Sequence, residues 1–206
     1  TPLFFRNWPT EQARFFARYT IEHFDKHSAS LLYSNSEYGV NTKVLFRDAY
    51  EKLGGRVVME EVYGPKATDF RAQIKRFLQK LADCIWLFGY YTEMGHFLKQ
   101  ARELGLRTQF FGQEGIEGEQ LLAIAGEAAE GLMYFVLGFD PTDASGKISK
   151  FSSAFRAKID REPEVYQIHH LVLRDALQGV SNRYNDISVT WGGYRRQCGY
   201  PTARGA

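Results

Sequence analysis

The sequence predicts an α/β fold in which helices flank a doubly wound parallel sheet on both faces. Five short apolar runs, centred near residues 31, 58, 85, 109 and 134, alternate with stretches of helical periodicity. The run Cys84–Phe88 (CIWLF) is apolar without a break, as is typical of a parallel strand covered on both faces. Strands that alternate with helices at this spacing favour right-handed crossovers, and therefore a parallel sheet.

The first part of the chain predicts two strand–helix units. Phe4 to Pro9 is expected to be extended because the proline favours a break, and Thr10 is placed to cap the first helix. The predicted elements that follow are a helix from Thr10 to Phe24, a strand at 30–33, a helix at 40–53, and a strand at 56–62. The side chains expected to face inward on the helix at 40–53 are Val40, Val44, Leu45, Ala49 and Leu53.

From Thr68 onward the same alternation continues. Thr68 and Thr92 are each placed to cap a helix, and Gly105 suits the left-handed position after the second of these helices. The inward face expected for that second helix consists of Met94, Phe97, Leu98, Ala101 and Leu104. The remaining predicted elements are strands at 107–111 and 131–137, with a shorter helix at 119–128 between them.

Composition excludes some function classes. The 206 residues carry a net charge of +2, with basic and acidic residues interleaved, so no basic stripe indicates nucleic-acid binding. No apolar run approaches the roughly 18 residues that a membrane span requires. Cys84 and Cys198 do not form a disulfide framework, and Cys84 is expected to be a buried, inert thiol.

Catalytic, metal and cofactor motifs are not found. The glycines at 112, 115 and 118 do not have the spacing of a dinucleotide fingerprint, and no nucleophile elbow is present. His23 and His27 are one helical turn apart but have no evident third metal ligand. Glu93 and His96 resemble half of a carboxylate-bridged metal site whose partner helix is absent. We therefore predict no enzyme activity, no metal and no cofactor.

Candidate binding residues follow the predicted strands. Tyr38 follows the first strand, Tyr90 and Tyr91 follow the third, and Glu114 follows the fourth. Open α/β sheets bind ligands beyond the carboxyl ends of their strands. A rigid aromatic wall with hydroxyl groups and a carboxylate suits a small polar ligand. Each residue also has a plain structural interpretation: helix capping or core packing for the tyrosines, a solvated loop acid for Glu114.

Several of these segments carry a family resemblance. The longest is GYYTEMGHFLKQARELGLRTQFFGQEG at 89–115, followed by IAGEAAEGL at 124–132. Shorter segments are FFRNWPT at 4–10, NSEYG at 35–39 and KATDF at 66–70. In this order they resemble the leucine/isoleucine/valine-binding proteins of bacterial ABC importers, which are type I periplasmic binding proteins.

The resemblance implies a two-lobed clamp that closes on a small solute. Residues 1–137 are then the second lobe, and 138–181 are the crossover and helices of an incomplete first lobe. The opening strands of that lobe would precede Thr1, so the chain is expected to be a fragment. Residues 182–206 form an irregular tail in which only Ile187–Trp191 is strand-like.

The resemblance also assigns ligand-binding roles. It implies that Tyr38 and Tyr90 contact the ligand and that Glu114 binds the ammonium group of an amino acid. Glu117 and Glu119 are the competing acids nearby. The groups that hold the ligand carboxylate are expected in the part of the first lobe that would precede Thr1.

The function implied is that of an extracytoplasmic solute-binding protein for a branched-chain or related amino acid, delivering to an ABC permease. The alternative is a ligand-sensing receptor or regulator domain of the same fold. Because the helices expected at 148–180 would leave apolar side chains exposed, a homodimer through these residues is a further expectation.

Overall fold

The fold is taken from a computed structural model that describes residues 2–137, 153–158, 160 and 189–193. The chain divides into two compact units, one of Thr1–Phe135 with Trp191–Tyr200 and the other of Val136–Thr190 with Pro201–Ala206. The helices are α1 (Pro2–Glu22), α2 (Glu37–Lys52), α3 (Arg71–Gln79), α4 (Tyr91–Glu103) and α5 (Glu119–Ala125). The strands are β1 (Ser28–Ser34), β2 (Arg56–Tyr63), β3 (Cys84–Phe88), β4 (Gln109–Gly112), β5 (Met133–Leu137) and β6 (Val189–Gly193).

The strands form one sheet in the order β2-β1-β3-β4-β5-β6. Strand β1 pairs in parallel with β2 and with β3, and the pairs β3–β4 and β4–β5 are parallel as well. Helix α1 packs against α2, whereas α4 packs against α3 and α5. The helices therefore form two layers, as right-handed crossovers to either side of β1 require. This confirms the predicted α/β class with its parallel sheet.

Trp86 is the centre of the core. It lies in the middle of β3, where all five residues are buried, and its own side chain has no exposed surface. Phe46 of α2 approaches it most closely, with ring centroids 4.6 Å apart. Four further rings have centroids within 6 Å of the indole, namely those of Phe16, Phe88, Phe111 and Phe135. These rings join α1, α2 and three strands into one aromatic cluster, as the unbroken apolar run of β3 predicts.

The predicted inward face of α2 is confirmed at Ala49, which is buried, and is wrong at its two ends. Val40 and Leu53 are 37% and 46% exposed, whereas Lys43, Phe46 and Tyr50 are buried. The aromatic rings of Phe46 and Tyr50 stack with centroids 5.3 Å apart, so they take the inward stripe in place of the smaller aliphatic residues. Lys43 shares that stripe because its ammonium group donates to Glu60 at 2.7 Å, which compensates the buried charge.

Four helix starts also differ from the prediction, and the first of them is α2, which begins at Glu37 and not at residue 40. Helix α1 begins at Pro2 and continues through Pro9, although a proline inside a helix loses one hydrogen bond and its ring crowds the carbonyl of the fourth residue before it. Neither Thr68 nor Thr92 is a cap, since α3 and α4 begin after Phe70 and Tyr90 without a side-chain cap. The end of α4 is as predicted. Gly105 has φ +83°, and the Leu106 N–H donates to the Ala101 carbonyl at 2.8 Å.

Part of the predicted organisation lies outside the described residues. Of the expected crossover and helices at 138–181, the structure describes a helical segment at 153–158 and Asp160. The dimer through 148–180 therefore stays a prediction. In the tail, β6 (Val189–Gly193) overlaps the strand-like run at 187–191. None of the described helices is long and apolar enough to cross a membrane.

The buried position of Cys84 leads to a chemical prediction. Burial raises the pKa of the Cys84 thiol, and the neighbouring Asp83 carboxylate raises it further. Because the thiolate is the reactive form, we expect Cys84 to resist thiol reagents in the native chain. A titration with a chromogenic disulfide should detect at most one fast thiol natively and two in denaturant. Two fast thiols in the native chain would contradict the burial of β3.

Candidate functional site

The order of the strands creates a crevice at the carboxyl ends of β1 and β3. The chain leaves β1 towards β2 on one side, and it leaves β3 towards β4 on the other. Such a reversal is the point at which open α/β sheets bind ligands. Tyr38 lies in the first turn of α2, directly after β1, and Tyr90 follows β3 and precedes α4. The topology thus places both predicted tyrosines beside the crevice.

The two tyrosines form one aromatic wall. Their ring centroids are 5.6 Å apart, with 31° between the ring planes. Tyr90 is 45% exposed, and Tyr38 is half-buried. Tyr91, the neighbouring candidate, packs its ring against Gly118, where a Cβ would lie 3.3 Å from the ring. This contact is consistent with a packing role for Tyr91.

The start of α2 is fixed so that Tyr38 has a defined position. Ser36 caps the helix, since its hydroxyl accepts the Gly39 N–H at 3.1 Å. That hydroxyl also lies 2.7 Å from the hydroxyl of Ser34, the last residue of β1. Gly39 lies so close to Ser34 that a Cβ at this position would overlap the Ser34 side chain and carbonyl. The first turn of α2 is therefore held tightly against the end of β1.

Glu114 lies in a single 3-10 turn, Glu114–Ile116, that follows β4. Its side chain is half-buried, and burial raises the pKa of its carboxyl group. The backbone N–H of Glu114 lowers this pKa, while the nearby Glu117 carboxylate raises it. Within the described part of the chain, no lysine, arginine or histidine forms an ion pair with Glu114. The turn thus holds a partly desolvated carboxylate whose charge the described residues do not neutralise.

Close backbone contact brings this turn to the tyrosines. A Cβ on Gly115 would lie 2.7 Å from the Gly89 carbonyl oxygen and 3.3 Å from the Tyr38 hydroxyl oxygen. Only a glycine allows that approach, so the residue after Glu114 is in contact both with the end of β3 and with Tyr38. Glu114 and the two tyrosines are therefore parts of one local structure.

Two features of the site escape sequence reasoning. Gln113 is only 3% exposed, and its side-chain oxygen Oε1 accepts a hydrogen bond of 2.9 Å from the Tyr38 hydroxyl. The only signal for it in the sequence is its position directly after a predicted strand. The competing acids also differ from each other. Burial raises the pKa of the half-buried Glu117, whereas Glu119 is exposed at the start of α5.

Comparison with curated proteins finds binding proteins for amino acids. The chain is 33% identical over 117 residues to the Leu/Ile/Val/Thr-binding protein of Salmonella typhimurium and to the Leu/Ile/Val-binding protein of Escherichia coli K12. These alignments cover 57% of this chain and 32% of each relative. The chain therefore aligns with about a third of the length of these relatives.

Solved structures show the same fold. A leucine-binding protein from Thermotoga maritima has a TM-score of 0.69 and 26% identity, covering 82% of this chain and 50% of that protein. A branched-chain amino acid transporter substrate-binding protein from Streptococcus pneumoniae, solved with isoleucine, has a TM-score of 0.64 and 29% identity, covering 80% of this chain and 48% of that protein. These relatives are solute-binding proteins and not enzymes. The sequence model of the periplasmic binding protein family matches residues 3–174. This chain belongs to the periplasmic binding protein family.

Proposed function

We propose that this chain binds a branched-chain or related amino acid as part of an extracytoplasmic solute-binding protein that delivers its ligand to an ABC permease. The observation that carries the proposal is the unneutralised, half-buried carboxylate of Glu114 beside the Tyr38–Tyr90 wall. The names of the relatives, which bind leucine, isoleucine and valine, support the same class of ligand.

Electrostatics explains why such a site suits an ammonium group. A carboxylate that loses hydration is destabilised in its charged form, which is why burial raises the pKa of Glu114. A cationic ligand that donates to the carboxylate restores the lost interaction. Hydrogen bonds between charged groups are shorter and about twice as strong as neutral ones. The site therefore favours a ligand that carries its own positive charge.

The tyrosine wall provides the surface for the part of the ligand that Glu114 does not contact. Two adjacent rings offer a rigid apolar surface, and covering the exposed face of Tyr90 removes apolar area from water. In the proposed mechanism the ligand bridges two lobes and favours the closed state through contacts made only on closure. Tyr38, Tyr90 and Glu114 are the contacts that this chain supplies.

The test is a titration of the 206-residue, uniformly ¹⁵N-labelled chain, followed by two-dimensional NMR, which detects binding into the millimolar range. The panel contains leucine, isoleucine, valine, phenylalanine and, as acidic and basic controls, aspartate and lysine. We expect the apolar amino acids to shift the amide signals of Tyr38, Tyr90 and Glu114, and the controls to leave them unchanged. A panel without any shift at these three residues would overturn the proposed function.

A further inference from the structure

We infer that Gln113 is a positioning residue that turns the Tyr38 hydroxyl into a hydrogen-bond acceptor for the ligand and thereby selects an ammonium group. The inference rests on the proposed function, because it concerns the same ligand. It starts from the 2.9 Å hydrogen bond in which the Tyr38 hydroxyl donates to Gln113 Oε1. The two residues are 75 positions apart in the chain.

Gln113 is held in place by its surroundings. It directly follows β4, it is 3% exposed, and its backbone carbonyl accepts the Ile116 N–H at 3.1 Å, which closes the 3-10 turn. Ile116 folds back over Gly112, where a Cβ would overlap the isoleucine side chain. A side chain confined in this way has little rotational freedom. A buried amide oxygen without a donor is also destabilising, so the bond to Tyr38 is favoured.

The position of this bond in the sheet gives it a structural effect on the site. Strand β3 lies between β1 and β4, so a contact from the end of β4 to the helix after β1 spans the end of β3. Tyr90 follows β3, and its ring is in contact with that of Tyr38. The bond to Gln113 thus fixes the position of the Tyr38 hydroxyl, while the Tyr38 ring stays in contact with that of Tyr90.

The direction of the bond decides what the site can recognise. A phenol has a single proton, and when Tyr38 donates it to Gln113, the lone pairs of the phenol oxygen can only accept. An ionised carboxylate such as Glu114 also only accepts. A ligand group that meets both the phenol oxygen and the Glu114 carboxylate must therefore supply the donors. An ammonium group offers three N–H donors, whereas a hydroxyl at the same position of the ligand offers one.

The test is a double-mutant cycle read out as the affinity for leucine. Gln113→Met keeps the length of the side chain and removes the acceptor, and Tyr38→Phe removes the hydroxyl. We expect each substitution to weaken leucine binding by about three- to tenfold. The double variant should bind no more weakly than either single variant, because Gln113 acts only through Tyr38. Gln109→Met, a glutamine at the other end of β4, should leave the affinity unchanged.

A second readout separates positioning from general support of the fold. Wild type should prefer leucine over its 2-hydroxy analogue, 2-hydroxy-4-methylpentanoate. In Gln113→Met the phenol proton is free to donate to the ligand hydroxyl, so the preference should shrink by about three- to tenfold. Should Gln113→Met fail to fold, Tyr38→Phe alone provides the test, since it should weaken leucine binding more than binding of the hydroxy acid.

The outcomes distinguish this inference from the proposed function. Losses that simply add in the double variant, or an unchanged preference for leucine, would overturn the role of Gln113 and leave amino-acid binding intact. Equal losses of affinity for leucine and for its 2-hydroxy analogue in Tyr38→Phe would also overturn the role of Gln113. A wild-type chain that binds none of the apolar amino acids would overturn both.

Discussion

Replacing Glu114 by glutamine is expected to weaken amino-acid binding by about tenfold to a hundredfold. The change keeps the shape of the side chain and removes the charge that we propose faces the ligand ammonium. A hydrogen bond to a charged group contributes roughly 1.5–3 kcal/mol, which corresponds to that range of affinity. Titrations of wild type and Glu114→Gln with leucine, isoleucine and valine measure the change in dissociation constant. In wild type the affinity should also fall as the pH drops through the raised pKa of Glu114, and in the variant this dependence should disappear.

Glu119→Gln is the matched control, because Glu119 is exposed and lies at the start of the next helix. It should change the affinity for the amino acids little.

The stability of the ligand-free chain should respond to Glu114→Gln in the opposite sense to binding. Folding raises the pKa of Glu114, so protonation of this carboxyl group stabilises the folded state relative to the unfolded state. This stabilisation is fully present below the unfolded-state pKa and is lost as the pH rises through the folded-state pKa. The variant should therefore melt at a higher temperature than wild type near pH 8, with a smaller gap near pH 4. An unchanged dissociation constant would mean that Glu114 is a loop acid, or that the ligand has no ammonium group.

The largest effect on stability is expected from Trp86→Ala. The substitution removes a fully buried indole from the contact point of five other aromatic rings and leaves a cavity that these rigid rings cannot fill. Substitutions of this kind lower the free energy of unfolding by about 3–5 kcal/mol. Equilibrium unfolding in urea, followed by far-UV circular dichroism, measures the difference.

Leu81→Ala serves as the comparison for the core, because Leu81 is 65% exposed despite its size. Its substitution should change the free energy of unfolding by about 0.5 kcal/mol or less. A loss of under about 1 kcal/mol for Trp86→Ala would contradict the packing of the aromatic cluster around β3.

Most of the sheet could be predicted because buried strands have a simple signature. Cys84–Phe88 is apolar at every position, as is typical of a parallel strand covered on both faces. Helix faces were harder to predict. The inward stripe of α2 contains Lys43, and its burial depends on Glu60, a residue of a neighbouring strand that local periodicity does not register. Helices α3 and α4 begin after Phe70 and Tyr90, whose side chains make no capping hydrogen bond, so the usual capping residues do not mark these starts.

The candidate site shows the same division. The positions of Tyr38, Tyr90 and Glu114 at strand ends follow from the alternation of strands and helices, and the structure brings the two tyrosines into ring contact. The bond from Tyr38 to Gln113 could not be predicted, because it depends on which strands are neighbours and on the backbone contact at Gly115. The spacing of residues along the chain does not show which strands are neighbours in the sheet.

The hydrogen bond between Tyr38 and Gln113 also bears on how the chain folds. It closes a loop of 75 residues, and three parallel strands with their crossovers must pair before its two ends meet. Contacts between residues so distant in sequence form slowly, because the entropy of the intervening chain is lost before they contribute. We therefore expect the candidate site to assemble late in the folding of the sheet. A ligand that recognises it stabilises only chains in which β4 has already docked beside β3, so binding distinguishes the completed sheet from its folding intermediates.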